Sequence, residues 1–349
     1  MKIRNSNFEL LRIISMLMII AHHYSVHGQF AQIYGISINN MIIDFLFLGG
    51  KIGVLLFVMI TGYHMINSKI NVKKIIQLEF QIIFYSLLIT IFFHIFHFET
   101  VGNVTITNIV DSLMPITRYT YWFATIYMLL YLFIPYINKL LLSLSKKEYI
   151  NLLTLGLLLF TLIPTFARSD LYVGNLIYFI YFYTIGAYFK LYPKIQKKRW
   201  CLLTSSITYL FIFICSIFFQ YISSKDIINS SYIYHFAGIN SLFTLIISIS
   251  MFLFFKNLKI KNKKWINIIS STTFGIYLIH DNPYVRQFLW VTVFKNSTFY
   301  QSNYLFIHAI ISIFVVFIIS SLIELVRKYI VEKNTLPIIY KLHNKLRKD

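Results

Sequence analysis

The chain has 349 residues, of which 58% are hydrophobic and only 13% charged; an ordinary soluble domain carries about 25% charged residues. That composition excludes a disordered chain, a collagen, a coiled coil and an ordinary cytosolic enzyme. The formal charge of +20 would point to nucleic acid in a soluble protein, but a membrane protein gathers Lys and Arg in its cytoplasmic loops, so no nucleic-acid partner is expected.

Apolar runs recur along the chain, each near the roughly 20 residues that cross a hydrocarbon core of roughly 30 Å. The pattern predicts an all-α, polytopic integral membrane bundle of ten helices, at residues 8–28, 43–66, 77–97, 120–137, 149–166, 172–190, 201–222, 236–255, 266–281 and 304–327. No internal repeat, Pro/Gly-rich linker or low-complexity tract interrupts it, so 1–349 reads as one membrane domain. The start, Met1-Lys2-Ile3-Arg4 before an apolar stretch, has the basic flank of a signal peptide. Arg12 interrupts the apolar part and no small-residue cleavage site is clear, so the segment is expected to stay as the first helix.

Basic residues set the orientation. With the N-terminus inside, the inner segments collect Lys69, Lys73 and Lys74, then Lys139, Lys146 and Lys147, then Lys194 to Arg199, then Lys256 to Lys264, then the tail from Arg327. The outer side keeps Lys51, Arg118, Arg168, Lys225, Arg286 and Lys295. Both termini are therefore expected in the cytoplasm of a multi-pass plasma-membrane protein. Cys201 and Cys215 frame no CxxC and read as packing residues.

Ionisable groups inside spans cost roughly 2.5–3.5 kcal/mol each on insertion scales, which makes them candidates for function. The first span holds Glu9, Arg12, His22, His23 and His27. Eleven helical steps bring Arg12 and His23 onto one stripe, separated by roughly 16 Å along the axis, and Glu9 sits one turn before Arg12. Arg12 alone could snorkel to the interface. The whole stripe suggests a path for an anionic ligand that ends at a base, a role that suits an imidazole with an ordinary pKa of roughly 6.5.

The second span opens Gly49-Gly50-Lys51-Ile52-Gly53 and runs to Thr61-Gly62-Tyr63; its glycines fit either close helix packing or backbone approach to a ligand. The fourth begins Tyr121-Trp122-Phe123, which an interfacial aromatic belt or a sugar site explains equally. The ninth ends in His280-Asp281-Asn282, with Arg286 and Trp290 beyond, a cluster that could complete a polar site beside the first helix. His94, His97 and His235 read as interfacial. There is no H-x-x-x-H pair with the accompanying Glu of a zinc site, no G-x-S-x-G elbow and no Walker loop, so no metal is expected.

Phe8-Glu9-Leu10-Leu11-Arg12 followed after ten residues by His23 resembles the R-x10-H signature of the membrane-bound acyltransferase 3 family. Gly53 to Tyr63, Tyr121-Trp122-Phe123 with Tyr127 and Tyr131, Tyr183 to Tyr188, and Phe274 to Asn282 resemble that family in the same order. Thr61-Gly62 stands where the family often has Ser-Gly, which keeps the hydroxyl. The resemblance implies transfer of an acyl group, usually acetyl from acetyl-CoA, to hydroxyls of cell-surface glycans, peptidoglycan or lipids. It carries over two positions: Arg12 on the CoA side and His23 as general base, with Glu9 orienting Arg12. His280, Asp281 and Asn282 would orient His23 or bind acceptor, with Tyr121 and Trp122 as further substrate candidates. The expected partners are a glycan or lipid-linked glycan acceptor and membrane lipid. The rivals are a polysaccharide succinyltransferase, and a glycan exporter or flippase without acyl transfer.

Overall fold

A computed structural model describes residues 6–30, 36–169, 171 and 173–346. The described residues are helical, with no strand among them. In chain order the helices are α1 (Ser6–His27), α2 (Ile38–Met65), α3 (Val72–Phe96), α4 (Ile106–Asp111), α5 (Trp122–Ser143), α6 (Lys146–Leu157), α7 (Ile163–Ala167), α8 (Asn175–Leu191), α9 (Lys198–Ser223), α10 (Leu242–Lys256), α11 (Lys264–Ser270), α12 (Thr273–His280), α13 (Pro283–Gln287), α14 (Leu305–Val326) and α15 (Lys333–Leu346). A wide π turn, Leu158–Leu162, joins α6 to α7, and another, Arg327–Glu332, joins α14 to α15.

Among the described residues, eight stretches are long and apolar enough to cross a membrane: Ser6–His27, Ile38–Met65, Val72–Phe96, Trp122–Ser143, Lys146–Ala167, Lys198–Ser223, Ser230–Lys256 and Leu305–Lys341. They match eight of the ten expected spans, with ends that differ by several residues. α2 and α3 each start five residues before the expected 43 and 77. α5 runs through Pro135 to Ser143, six residues past the expected end at 137. Of the other two, 172–190 is the 17-residue α8, and Tyr172 lies outside the described residues.

The expected ninth span, 266–281, is not one helix. It breaks between α11 and α12 at a run of hydroxyls. Ser271 Oγ donates to the Ile268 carbonyl, Thr272 Oγ1 to Ile269 and Thr273 Oγ1 to Ser270. Short hydroxyl side chains compete with amide N–H groups for nearby carbonyls, and three in a row end the α-helical ladder. The tail departs from expectation too, since the helix continues past residue 327 through the π turn into α15.

α1 packs against α2, α10, α11, α12 and α14, so its ionisable residues are held within the bundle. The glycines of α2 are explained by packing. A Cβ on Gly62 would lie 2.1 Å from the Tyr183 carbonyl oxygen, and one on Gly186 would lie 2.1 Å from the Met59 carbonyl oxygen. The two glycines thus let the backbones of α2 and α8 touch, as small residues do between membrane helices. Gly186→Val should push these helices apart and cost about 1–3 kcal/mol or more. Thermal unfolding of the detergent-solubilised protein should show a lower midpoint; an unchanged midpoint would mean the helices do not meet there.

Candidate functional site

A cavity of about 600 Å³ runs beside α1, bounded by α2, α3, α5, α11, α12 and α14. The end nearer the first and last described residues is lined by five cations, Arg12, Lys69, Lys74, Arg327 and Lys328, and three carboxylates, Glu9, Glu324 and Glu332. The far end is lined by His23, Trp122, Phe123 and Tyr277. Met16, Ile19, Val54 and Phe57 form apolar wall between them. Such a volume suits a small-molecule ligand, and the apolar middle with polar ends suits an elongated one.

At the basic end Arg12 Nη1 lies 2.8 Å from Glu9 Oε1. Glu9 is buried and its other oxygen accepts from the Ser270 hydroxyl at the α11 break. Glu9 therefore fixes one edge of the guanidinium, while Arg12 keeps a side chain 27% exposed. Beside it lies a buried charged cluster built on Arg327, which the sequence marks only as the first basic residue of the tail. Arg327 donates from Nε to Glu324 Oε2 and from Nη2 to Glu324 Oε1, each at 2.8 Å, and also pairs with Glu332. Glu324 further accepts from Tyr85 Oη at 2.7 Å and Gln81 Nε2 at 3.1 Å; Gln77 donates to Glu332. Arg327 Nη1 is buried with no hydrogen-bond partner and belongs to a residue that lines the cavity. The signal that could have found this cluster was the Glu-x-x-Arg spacing at the end of an apolar span, one helical turn apart.

At the far end two histidines meet across 257 residues of sequence. His280 Nδ1 lies 2.6 Å from the Ile276 carbonyl oxygen. A carbonyl only accepts, so Nδ1 carries the proton and, in the neutral ring, Nε2 holds a lone pair. That Nε2 is 2.9 Å from His23 Nδ1. His23 Nδ1–H is therefore the donor, and His23 Nε2 is left with the free lone pair. The network thus settles which nitrogen of a cavity-lining imidazole can take a proton. Asp281 Oδ1 lies 3.6 Å from His23 Nδ1 and 3.7 Å from Arg286 Nε.

The remaining expected site residues are close by. Asn282 Nδ2 donates to Tyr121 Oη at 2.7 Å, and both are buried. Trp122 opens α5 on the cavity wall, with the Lys51 ammonium 4.6 Å from its ring centroid. His22 turns away from the cavity: its Nδ1 bonds the Phe47 carbonyl and its ring fills the space a Cβ on Gly50 would need. His27 is one turn beyond His23, with ring centroids 5.3 Å apart. His23, His27 and Asp281 each bring one ligand-type atom within 4.8 Å of the others, a set that could take a cation. The two histidines stand at i and i+4, a spacing visible in the sequence. His94 and His235 bond loop or helix-end carbonyls, of Val104 and Thr165, away from this cavity.

A family model described as an acyltransferase domain matches residues 5–325. The chain belongs to the acyltransferase 3 family. It is accordingly a multi-pass membrane acyltransferase. No curated protein and no solved structure matches the chain. In this member of the acyltransferase 3 family the match takes in α1, the histidine pair and Glu324, and stops two residues short of Arg327.

Proposed function

We propose that this acyltransferase moves an acetyl group from acetyl-CoA to a hydroxyl of a cell-surface or secreted polysaccharide, at the plasma membrane, with both termini in the cytoplasm. Ten crossings follow if α8 and the broken α11–α12 pair span with the eight long helices. The observation that carries the reading is the single cavity with Arg12 and its neighbouring cations at one end and the free Nε2 side of His23 at the other.

A CoA diphosphate is anionic, and a guanidinium forks onto phosphate oxygens. Arg12, held by Glu9, supplies that fork, and Lys69, Lys74 and Lys328 add positive charge at the cytoplasmic mouth. The pantetheine arm then lies along the apolar middle, which brings the thioester to His23. The acceptor hydroxyl gives its proton to His23 Nε2 as its oxygen attacks the thioester carbon. The C–S bond breaks, and the thiolate takes the proton back from Nε2. His280 holds the tautomer that this needs, and Asp281 lies 3.6 Å from the same ring nitrogen.

The test is O-acetyl content of surface glycans, by NMR, in cells with and without the protein. Loss of O-acetyl signals in the deletion supports acetyl transfer. Loss of a succinyl signal would change the acyl group. Unchanged acylation with surface glycan missing or trapped inside would give the reading to an exporter. Arg12→Ala should raise the KM for acetyl-CoA by roughly 10–100-fold, the worth of a charged hydrogen bond, with kcat less affected. Free-thiol release by the purified protein measures it, and an unchanged KM would make Arg12 an interfacial cation only.

A further inference from the structure

A second cavity, of about 420 Å³, lies at the opposite end of the bundle from the basic mouth. Its walls are the C-terminal part of α1, the first turns of α2, the end of α9, the 229–234 turn and Tyr300. Asp44 of α2 is only 1% exposed and lines it. One of its carboxylate oxygens, Oδ1, accepts from the Tyr234 hydroxyl; the other, Oδ2, is buried with no hydrogen-bond partner. Gln220 of α9 presents a second acceptor in the same state, Oε1. A buried carboxylate oxygen left unpaired is costly unless something donates to it. Two such acceptors on the walls of one cavity call for a ligand with several donors.

The rest of the lining says which kind. Its other polar members, such as Ser25, Ser223, Ser224, Asn229 and Ser231, are neutral hydroxyls and amides, and no Lys or Arg is among the described lining residues. Tyr234 and Phe30 add flat apolar area. Hydroxyls and amides paired with hydroxyls, one carboxylate that accepts two, and rings to lie against match a sugar ring. An anion would meet Asp44 with no cation to offset it.

We propose that this cavity binds a sugar unit of the acceptor glycan, with its hydroxyls donating to Asp44 Oδ2 and Gln220 Oε1. The proposal rests on the acyltransferase reading for the identity of that glycan. The unit held here is not the one acylated: Ser25 and His23 are two residues apart on α1, about 200° around the helix, so the cavity and the histidine pair flank α1 from opposite sides. The site would anchor the chain beside the reaction centre and favour polymeric acceptors over single sugars.

Saturation-transfer NMR on the full-length protein in nanodiscs tests this, with a panel of neutral monosaccharides and disaccharides as one set of probes and choline and spermidine as another. No acyl donor is present, so failure here is told apart from failure of the acyltransferase reading. The expected result is transfer to at least one sugar, weakened roughly tenfold or more in affinity by Asp44→Asn and also reduced by Gln220→Leu. The second variant keeps the test open if the first folds poorly. No sugar signal in the unaltered protein, a sugar signal indifferent to both variants, or signals from the cations alone would overturn it.

Discussion

His23→Ala is expected to lower acyl transfer by roughly 10²–10⁴-fold, the usual worth of a positioned general base, while the protein remains in the membrane. The expectation rests on the proton inventory of the pair. His280 is committed at Nδ1 to the Ile276 carbonyl, and its Nε2 takes the His23 proton, which leaves the cavity-lining ring with its lone pair on Nε2. Alanine also removes the partner of a buried His280 nitrogen, so a loss of activity by itself could be a loss of structure. His23→Asn separates the two, because an amide N–H can still donate to His280 while offering no base. Equal loss in both variants, with normal membrane levels, supports the base. Retained turnover in His23→Asn would remove it. Activity that vanishes on addition of a chelator would point instead to a cation held by His23, His27 and Asp281. His280→Ala should fall less far than either, since the base survives and only its orientation is lost.

The parts of the molecule legible in the sequence are those set by local periodicity. Eight apolar lengths forecast eight long helices because length and hydropathy alone decide whether a segment suits a bilayer. Glu9 and Arg12 could be paired from spacing, because i and i+3 are neighbours on any helix. Helical phase also placed Arg12 and His23 on the wall of one cavity. The break at Ser270–Thr273 was not legible, since its apolar average matches a span and the hydroxyls act only through individual carbonyl contacts. That His280 could orient His23 was one of two roles the sequence left open, because the contact itself depends on how α12 packs on α1. Asp44 was different: an ionisable residue inside an apolar run was on view, but nothing local marked it as facing a cavity.

Arg327→Met is expected to destabilise the folded protein by about 3–5 kcal/mol, the range for removing one partner of a buried ion pair. The guanidinium is 2% exposed and the Glu324 side chain 1%, so neither can exchange its partner for water. Without Arg327, Glu324 keeps only the donors from Tyr85 and Gln81, and Glu332 loses its guanidinium contact. Glu324 also has nowhere to move. It sits against Gly275, where a Cβ would lie 2.4 Å from the carboxylate, so α12 and α14 close over it. Adding Glu324→Gln should recover much of the loss, because the uncompensated charge is then gone and the hydrogen bonds from Tyr85 and Gln81 have a neutral acceptor. Thermal unfolding of the two variants in detergent measures the difference; a single variant as stable as the unaltered protein would mean the cluster is solvated. The same melts with CoA present reach the site. A ligand that binds only the folded state adds stability, about 2.7 kcal/mol at a hundred times its Kd. Arg327 lines the cavity beside α1 with one nitrogen unpaired, so, on the proposed reading, CoA should raise the unfolding midpoint of the unaltered protein by more than that of the double variant. Equal increments would confine Arg327 to holding α14 in place.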